Sequence, residues 1–319
     1  MAGGLGWMAA AQQPKPDSKT EQVPTISVDV EVVNVLFTVR NKQGGLVGNL
    51  EKSHFTIEED GRPQAIRYFS RQSDLPLTLG LLVDTSVSQG ALLEQERAAS
   101  SQFFSQMLRV QKDQAFLISF DVNVDMLQDL TDSVRLLRAG LDKLEINAGG
   151  GGGLHPGPVP TSRRRGTLLY DAVFLASDEV LQRQVGRKAL ALITDGVDYG
   201  SQMKLEQCVA AAHKADVIIY GILFIDRRFY ARGGMIGGFG GGELERTCKE
   251  TGGRMFEVDR RKPLKAVFDE IQQELRSQYS IGYTPEATRA GNAFRKIKVL
   301  PRDRSLKVQA RAGYYPKGN

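Results

Sequence analysis

The stretch Leu79 to Ser88, LGLLVDTSVS, decides both the fold and the candidate site. Leu79 to Val83 form a continuous apolar run, which is typical of a strand buried on both faces of a parallel sheet. The run ends at Asp84, and two hydroxyl side chains follow at alternate positions, Ser86 and Ser88. Open α/β sheets bind their ligands at the carboxyl ends of their strands. Hard oxygen donors grouped at such a strand end indicate a site for Mg²⁺ or a similar hard cation.

The composition of the chain is that of an ordinary globular protein. Its 319 residues are enough for about two domains, and 41% of them are hydrophobic and 25% charged. The net charge of +5 is spread over interspersed basic and acidic residues, which favours a solvated surface over nucleic-acid binding. The longest apolar runs have the length of strands, so we expect no membrane span.

Residues 1–24 are predicted to be a disordered tail or the remnant of a signal peptide. Ala9, Ala10 and Ala11 before Gln12 resemble a small-residue cleavage site, although the preceding apolar part is short and has no basic region. A signal that begins upstream would make the protein extracytoplasmic, meaning secreted, periplasmic or attached to the cell surface. A disordered N-terminus leaves a cytoplasmic location open.

The remaining chain divides into three predicted parts. Residues 25–74 form an N-terminal β segment, because they contain β-branched runs and a hairpin signal at Asp60-Gly61. From 75 to 277, strands and helices alternate, which favours a doubly wound, Rossmann-like α/β domain. Residues 278–316 form a C-terminal β segment. Neither β segment alone has enough strands to be stable, so we expect the two to pair in a small β-sandwich.

Inside the α/β domain, apolar periodicity predicts the order of the elements that follow the first strand. These are a helix at 91–109, a strand at 114–120, an antiparallel edge strand at 123–127, a helix at 133–144 with Thr131 or Asp132 as its N-cap, a helix at 167–184, a strand at 188–194, a helix at 203–214, a strand at 217–224, a helix at 243–251, a strand at 253–258 and a helix at 263–277.

Two long glycine-rich loops, 148–165 and 226–242, interrupt this pattern. Loops of this length tend to be functional or disordered. Arg163 to Arg165 either steer acidic partners towards the sheet edge or form a solvated basic stretch. We assign no role to His155.

Two cysteines, Cys208 and Cys248, lie in predicted helices. Their spacing matches no zinc pattern. They are either buried helix residues or, in an exported protein, the partners of a disulfide.

Three separate segments place oxygen donors at predicted strand ends or helix starts. DTSVS contains Asp84, Ser86 and Ser88, GTLLYDAV begins a helix with Thr167, and LITDGVD follows a buried strand with Asp195. Residues Leu75 to Ser277 resemble the von Willebrand factor type A (VWA) domain, whose metal-ion-dependent adhesion site (MIDAS) takes Asp-x-Ser-x-Ser, a Thr and an Asp from three loops. All three motifs occur here in that order.

The resemblance implies a role for each of these five residues. Ser86, Ser88 and Thr167 would offer hydroxyls to a divalent cation, Mg²⁺ or else Mn²⁺ or Ca²⁺, and Asp84 and Asp195 would act directly or through water. Mg²⁺ requires near-octahedral oxygen coordination, and this donor set leaves a position open. An acidic side chain of an unidentified partner protein would fill that position.

The sequence departs from the commonest VWA motif at two positions without replacing a donor. Val87 lies where Gly is frequent, and Gln89 follows Ser88 where Met is frequent. The β segments on either side, GNLEKSHFTIEEDGRPQAIRYF and QYSIGYTP with FRKIKV and RAGYY, are similar to those of the bacterial VWFA-related Acidobacterial domain family.

Other interpretations of the same residues remain open. Asp84 and Asp195 could cap helices, Ser86 and Ser88 could be turn residues, and Thr167 could be an N-cap. The leading functional hypothesis is a non-enzymatic, metal-dependent protein-binding, adhesion or assembly module. The alternatives are a metal-dependent hydrolase or phosphotransferase, for which a second carboxylate at position 86 is lacking, a nucleotide-binding domain, for which the glycine motif is lacking, and a structural β-module with a vestigial metal site.

Overall fold

In the computed structural model, the chain is described at residues 32–71, 75–146, 166–232, 240–285 and 292–316. The strands in these ranges are β1 (Val33–Arg40), β2 (Phe55–Glu59), β3 (Arg62–Gln64), β4 (Ile66–Arg71), β5 (Leu77–Asp84), β6 (Gln114–Phe120), β7 (Val124–Thr131), β8 (Arg187–Thr194), β9 (Val217–Leu223), β10 (Met255–Glu257), β11 (Tyr279–Tyr283), β12 (Arg295–Pro301), β13 (Lys307–Ala310) and β14 (Gly313–Tyr314). The α-helices are α1 (Leu93–Met107), α2 (Val134–Leu141), α3 (Leu169–Leu175), α4 (Leu205–Lys214), α5 (Arg227–Arg232), α6 (Gly241–Glu250) and α7 (Leu264–Arg276).

Strand β5 lies inside a six-stranded sheet of order β10-β9-β8-β5-β6-β7. It pairs in parallel with β6 on one side and with β8 on the other, and β7 is an antiparallel edge strand. The chain therefore builds outward from β5 to β7 and then resumes on the other side at β8. This change of direction between β5 and β8 is the switch point of a doubly wound sheet, and the predicted fold class is confirmed.

Helices cover both faces of this sheet because every residue of β5 is buried and needs apolar neighbours on each side. Leu79 and Leu81 belong to a core with Phe103 of α1 and Phe268 of α7, whose rings stack with centroids 4.2 Å apart. Leu82 points to the opposite face, into a core shared with α3 and α4. Each buried leucine contributes about 1.5–3 kcal/mol to the free energy of folding.

The N- and C-terminal β segments interleave in two four-stranded sheets, β13-β1-β11-β4 and β14-β12-β2-β3. In the first sheet β1 pairs antiparallel with both β11 and β13, and in the second β2 pairs with β12. Phe37, Phe55 and Tyr279 lie in the core between them. The predicted composite β-sandwich is therefore present, with neither segment complete on its own.

The hairpin signal at Asp60-Gly61 is correct, and the backbone gives the reason. Asp60 has φ +49° and Gly61 has φ +79°, the left-handed pair that a two-residue hairpin loop needs. The turn joins β2 to β3 in antiparallel register.

A buried carboxylate connects helix α7 to the β-sandwich. Glu274 of α7 is fully buried and pairs with Arg40 of β1 and with Arg254. Residues Val32–Asn319 form one compact unit, and the domain boundaries at 24/25, 74/75 and 277/278 stay predictions. No helix in the described ranges is long and apolar enough to cross a membrane.

Several predicted elements differ from the observed ones. The helix expected at 167–184 is α-helical only from Leu169 to Leu175 and then continues as a π-turn and a 3₁₀ turn to Arg183. Ser133, and not Thr131 or Asp132, caps α2, because its side chain accepts from the Leu136 amide. The edge strand β7 runs beyond 127 to Thr131.

Cys208 and Cys248 are free and buried. The first of the two interpretations of these cysteines therefore applies, and the disulfide is absent. The Cys208 thiol donates to the backbone carbonyl of Tyr170 at 3.0 Å, which ties α4 to α3.

Candidate metal centre

Two of the five predicted ligands, Asp84 and Asp195, come together because their strands are neighbours. Asp84 is the last residue of β5, and Asp195 follows the last residue of β8. The two strands pair in parallel with Val83 opposite Ile193, so their carboxyl ends meet at one edge of the sheet. Both aspartates are buried.

The loop after β5 links the two serines to both carboxylates. The Ser86 amide donates to Asp84 Oδ1 at 2.9 Å, which fixes the start of the loop. The Ser86 and Ser88 hydroxyls are 2.9 Å apart, and Ser88 Oγ donates to Asp195 Oδ2 at 2.7 Å. Four of the five predicted ligands thus share one hydrogen-bonded network.

Thr167 lies at the same edge of the sheet through backbone contacts. Its amide donates to the Tyr199 carbonyl at 2.9 Å, in the segment that follows Asp195. The next amide, that of Leu168, donates to the Asp121 carbonyl at 2.8 Å, and the Asp121 side chain accepts from Thr85 Oγ1 at 3.1 Å. In the described ranges, no hydrogen bond joins the Thr167 hydroxyl to the other four predicted ligands. The N-cap residue of α3 is Leu168, so Thr167 is not the N-cap of this helix.

Burial makes the charged form of Asp84 unfavourable. Loss of solvation raises the pKa of this carboxyl from 3.8 to about 7, and the like charge of Asp195 acts in the same direction. Hydrogen bonds from Ser86 and Thr194 oppose this rise. Near neutral pH the Asp84 carboxyl is therefore partly protonated when no cation is bound.

Tyr230 of α5 also contacts the site, and sequence reasoning missed it. Its phenol donates to Asp195 Oδ2, the same oxygen that accepts from Ser88. Burial, and then the hydrogen bond to Asp195, raise the pKa of the phenol well above its ordinary value. Helix α5 occupies the first part of the segment 226–242, which was predicted to be a loop. Its residues 233–239 lie outside the described ranges.

Two further buried polar side chains near the ligand loop were not predicted as part of the site. Gln89 follows Ser88 directly, and its amide nitrogen donates to the carbonyl of Phe224, the residue after β9, at 3.2 Å. Glu96 lies in the first turn of α1 and is fully buried. Phe103 and Met107 follow Glu96 by seven and eleven residues, which places all three on one face of the helix, and this spacing could have indicated that Glu96 is buried.

Two backbone segments pack against each other behind Asp195. Gly196 has φ +82°, and a Cβ added there would meet the Gly240 carbonyl carbon at 2.9 Å. A Cβ on Gly240 would lie 1.5 Å from the Gly196 carbonyl oxygen. Only glycine fits at this contact, which sets the start of α6 against the Asp195 loop.

The chemistry of the predicted ligand set fits a hard divalent cation. Two carboxylates and three hydroxyls offer oxygen atoms alone, which suits Mg²⁺, Mn²⁺ or Ca²⁺. The described ranges contain no group of three or more His, Cys, Asp or Glu side chains arranged to bind a metal, so a cation here would depend on the hydroxyls as well. The repulsion between two buried carboxylates is an electrostatic reason for a cation at this place.

Two rim residues that were not predicted as ligands support the loops. Asp171 accepts from the Met203 amide at 2.8 Å and from the Gln202 amide at 3.1 Å. Asp198 accepts from Ser201 at 2.6 Å. The glycine run, His155 and Arg163 to Arg165 lie outside the described ranges.

Comparison with known proteins gives structural similarity only. No protein-family model matches the sequence, and no curated protein matches it. Similar solved structures include proximal thread matrix protein 1 from the mussel byssus with a zinc occupied MIDAS motif, at 15% identity and TM-score 0.49, covering 68% of this chain and 49% of that chain. The present chain thus spans about half the length of the byssus protein.

Two bacterial structures are also similar. The conserved hypothetical protein BatB from Bacteroides thetaiotaomicron has 17% identity and TM-score 0.46, over 62% of this chain and 97% of that chain. The vWF domain of the type V pili tip protein Mfa5 from Porphyromonas gingivalis has 14% identity and TM-score 0.44, over 62% and 94%. At these values the likeness gives no basis for transferring a function.

The observed topology agrees with the predicted fold. A doubly wound sheet with one antiparallel edge strand, and the DTSVS and LITDGVD segments joined at its switch point, confirm the predicted VWA fold. The narrower resemblance to the VWFA-related Acidobacterial domain family stays a prediction.

Proposed function

We propose that this protein is a non-enzymatic binding module that captures a partner protein through a divalent cation. Asp84, Ser86, Ser88, Thr167 and Asp195 would supply the cation ligands. The observation that carries the proposal is the continuous network from Asp84 through the two serines to Asp195. The bound cation would supply a coordination position for an acidic side chain of the partner.

The residues around the site are suited to binding rather than to proton transfer. Asp84 accepts from the Thr194 hydroxyl at 2.7 Å and from a backbone amide. Both contacts fix the carboxylate in place, and neither pairs it with a base that could activate a nucleophile. A hydrolytic reaction has no comparable support from the geometry.

Exposed apolar side chains next to the site favour a protein partner over a small anion. Val87 lies between the two serines and is 50% exposed, and Tyr199, paired with Thr167, is 66% exposed. Phe229 precedes Tyr230 and is 42% exposed. Apolar side chains grouped in this way are typical of interaction surfaces. We extend the proposal to an extracytoplasmic location, where the partners of an adhesion module would lie.

The proposal is tested by titrating chelator-treated protein with Mg²⁺, Mn²⁺ and Ca²⁺ in a calorimeter. We expect one site per chain, and we expect Asp84→Ala to abolish it. Asp125→Ala is the matched control, since Asp125 lies exposed on the edge strand β7. Peptides with an Asp or Glu should then bind the loaded protein, while the same peptides with Asn or Gln should not. Metal-independent binding of both peptide sets would reject the proposal and favour a structural role.

A further inference from the structure

Exposed arginines gather at one end of the sheet edge that carries the candidate metal centre. Arg228 belongs to α5, and Arg260 and Arg261 lie in the segment between β10 and α7. All three side chains are exposed. None of the ion pairs between described residues includes them. These guanidinium groups are therefore available to a partner.

Backbone pairing holds α5 and the segment 259–262 side by side. Strand β10 pairs in parallel with β9, with Glu257 opposite Leu223. The Val258 amide donates to the Leu223 carbonyl at 2.9 Å. Arg227, in the first turn of α5, pairs with Glu257 at 3.1 Å. The exposed arginines of the two segments thus belong to one surface.

The acidic side chains of these two segments are already engaged. The Asp226 carboxylate accepts from the Arg228 amide at 2.9 Å. The Asp259 carboxylate accepts from the amides of Arg261 and Lys262, both at 2.7 Å. The third acid, at the end of β10, is held in the ion pair with α5. The surface therefore presents positive charge that its own carboxylates do not pair with.

The arginines lie near the candidate cation position. Strands β8, β9 and β10 are neighbours and run in parallel, so their carboxyl ends meet at one edge of the sheet. With neighbouring strands about 4.8 Å apart, the segment after β10 begins roughly 10 Å from the end of β8. Helix α5 spans part of this gap, since Tyr230 donates to Asp195 and its ring packs against Phe229 with centroids 5.4 Å apart.

The chemistry of this surface suits carboxylates of a protein chain. Guanidinium groups bind carboxylates through two parallel hydrogen bonds. Phe229 lies next to Arg228 and is 42% exposed, which adds an apolar contact for a polypeptide. Three arginines are few for nucleic acid, whose binding rests on many phosphate contacts.

We infer that Arg228, Arg260 and Arg261 form a second contact surface, which binds an acidic segment of the partner protein beside the cation. The position beside a cation rests on the proposed function. An extended chain advances about 3.3 Å per residue, so the segment would carry one acid for the cation and further acids roughly three or four positions away.

Fluorescence anisotropy with two fluorescein-labelled peptides of Gly and Ser tests the inference. One peptide carries a single Glu, and the other carries that Glu and two more, about three and four positions further on. We expect both to bind the Mg²⁺-loaded wild-type protein, and the peptide with three Glu to bind roughly fivefold to tenfold more tightly at low salt, because three weak exposed ion pairs combine. The combined variant Arg228→Gln, Arg260→Gln and Arg261→Gln should lose this difference. All titrations are repeated with chelator.

The matched control changes three other exposed arginines to Gln, on β3, β4 and α2: Arg62, Arg67 and Arg135. It has the same net charge as the first variant, so it separates local contact from long-range attraction. Circular dichroism and Mg²⁺ calorimetry show whether each variant retains its fold and its cation. Vesicles of equal parts phosphatidylcholine and phosphatidylserine test a membrane surface as the alternative partner.

The outcomes separate this inference from the proposed function. A tighter complex with the three-Glu peptide, lost in the first variant and kept in the control, supports the inference. Equal affinity of the two peptides, or a difference that persists in the first variant, overturns it and leaves the proposed function in place. Binding of the three-Glu peptide that is the same with Mg²⁺ and with chelator, and is lost in the first variant, supports the arginine surface and rejects the proposed cation function. Binding to vesicles without binding to either peptide, or no binding at all, overturns both.

Discussion

Replacement of Asp84 by Asn should stabilise the metal-free protein while abolishing cation binding. Asp84 is fully buried, and its pKa of about 7 is well above the ordinary 3.8. A carboxyl whose pKa is raised by folding contributes stability below its unfolded value and loses that contribution as the pH rises through the folded value. The metal-free protein should therefore become less stable between about pH 4 and pH 8.

The size of the effect follows from the same two values. The interval from 3.8 to about 7 corresponds to roughly 4 kcal/mol at about 1.36 kcal/mol per pH unit. An Asn at this position stays neutral and still offers an oxygen to the Ser86 amide or to Thr194. We expect Asp84→Asn to have the higher free energy of unfolding at about pH 8, by between about 1 and 4 kcal/mol.

The assay is urea denaturation of both proteins with chelator at about pH 4, 6 and 8. The difference in free energy of unfolding between the Asp84→Asn variant and the wild-type protein should grow with pH. Contributions of the other titrating groups are the same in both proteins and cancel in this difference. Added Mg²⁺ should raise the free energy of unfolding of the wild-type protein at about pH 8 and should not change that of Asp84→Asn. A difference that does not change with pH, or a variant that is less stable at about pH 8, would refute the electrostatic reasoning.

Three further predictions follow from the geometry. Mg²⁺ affinity should rise about tenfold per pH unit below the Asp84 pKa of about 7 and level off above it, because the proton and the cation compete for this carboxylate. Calorimetry at several pH values measures this, and an affinity that does not change with pH would contradict it. Tyr230→Phe should tighten Mg²⁺ binding by roughly threefold to tenfold in the same calorimetric titration, because the cation would no longer compete with the phenol for Asp195. Weaker binding by this variant would mean instead that the phenol positions Asp195. Glu274→Gln should lower the free energy of unfolding by about 2 kcal/mol, because Arg40 loses its buried charged partner while Arg254 keeps its ion pair with Glu270. Urea denaturation with an unchanged midpoint would contradict this.

Local sequence signals explain why so much of the fold could be predicted. The strands of the central sheet are apolar runs because they are buried on both faces, as in β5 and β8. The Asp60-Gly61 turn is fixed by the backbone conformations that its two residues tolerate. The shortening of α3 was not predictable in this way, because its apolar pattern continues through the π-turn at Ala176–Val180.

Strand order explains only part of the grouping of the candidate site residues. Asp84 and Asp195 end parallel neighbours, so strand order alone brings them together. Tyr230 lies 35 residues from Asp195, in a six-residue helix inside a glycine-rich segment. No periodicity marks so short a helix, and its contact with Asp195 depends on tertiary structure.

The arrangement of buried charge argues that the site is more than a set of turns and caps. Turn and cap residues satisfy backbone groups and face solvent. Asp84 accepts from a backbone amide as a turn residue does, but it is fully buried, and burial followed by the charge of Asp195 raises its pKa. Asp195 is buried as well. Natural sequences break the rules of burial mainly at functional sites. A fold maintained for structure alone would be more stable with an amide at either position, so the two buried carboxylates support the proposed cation site.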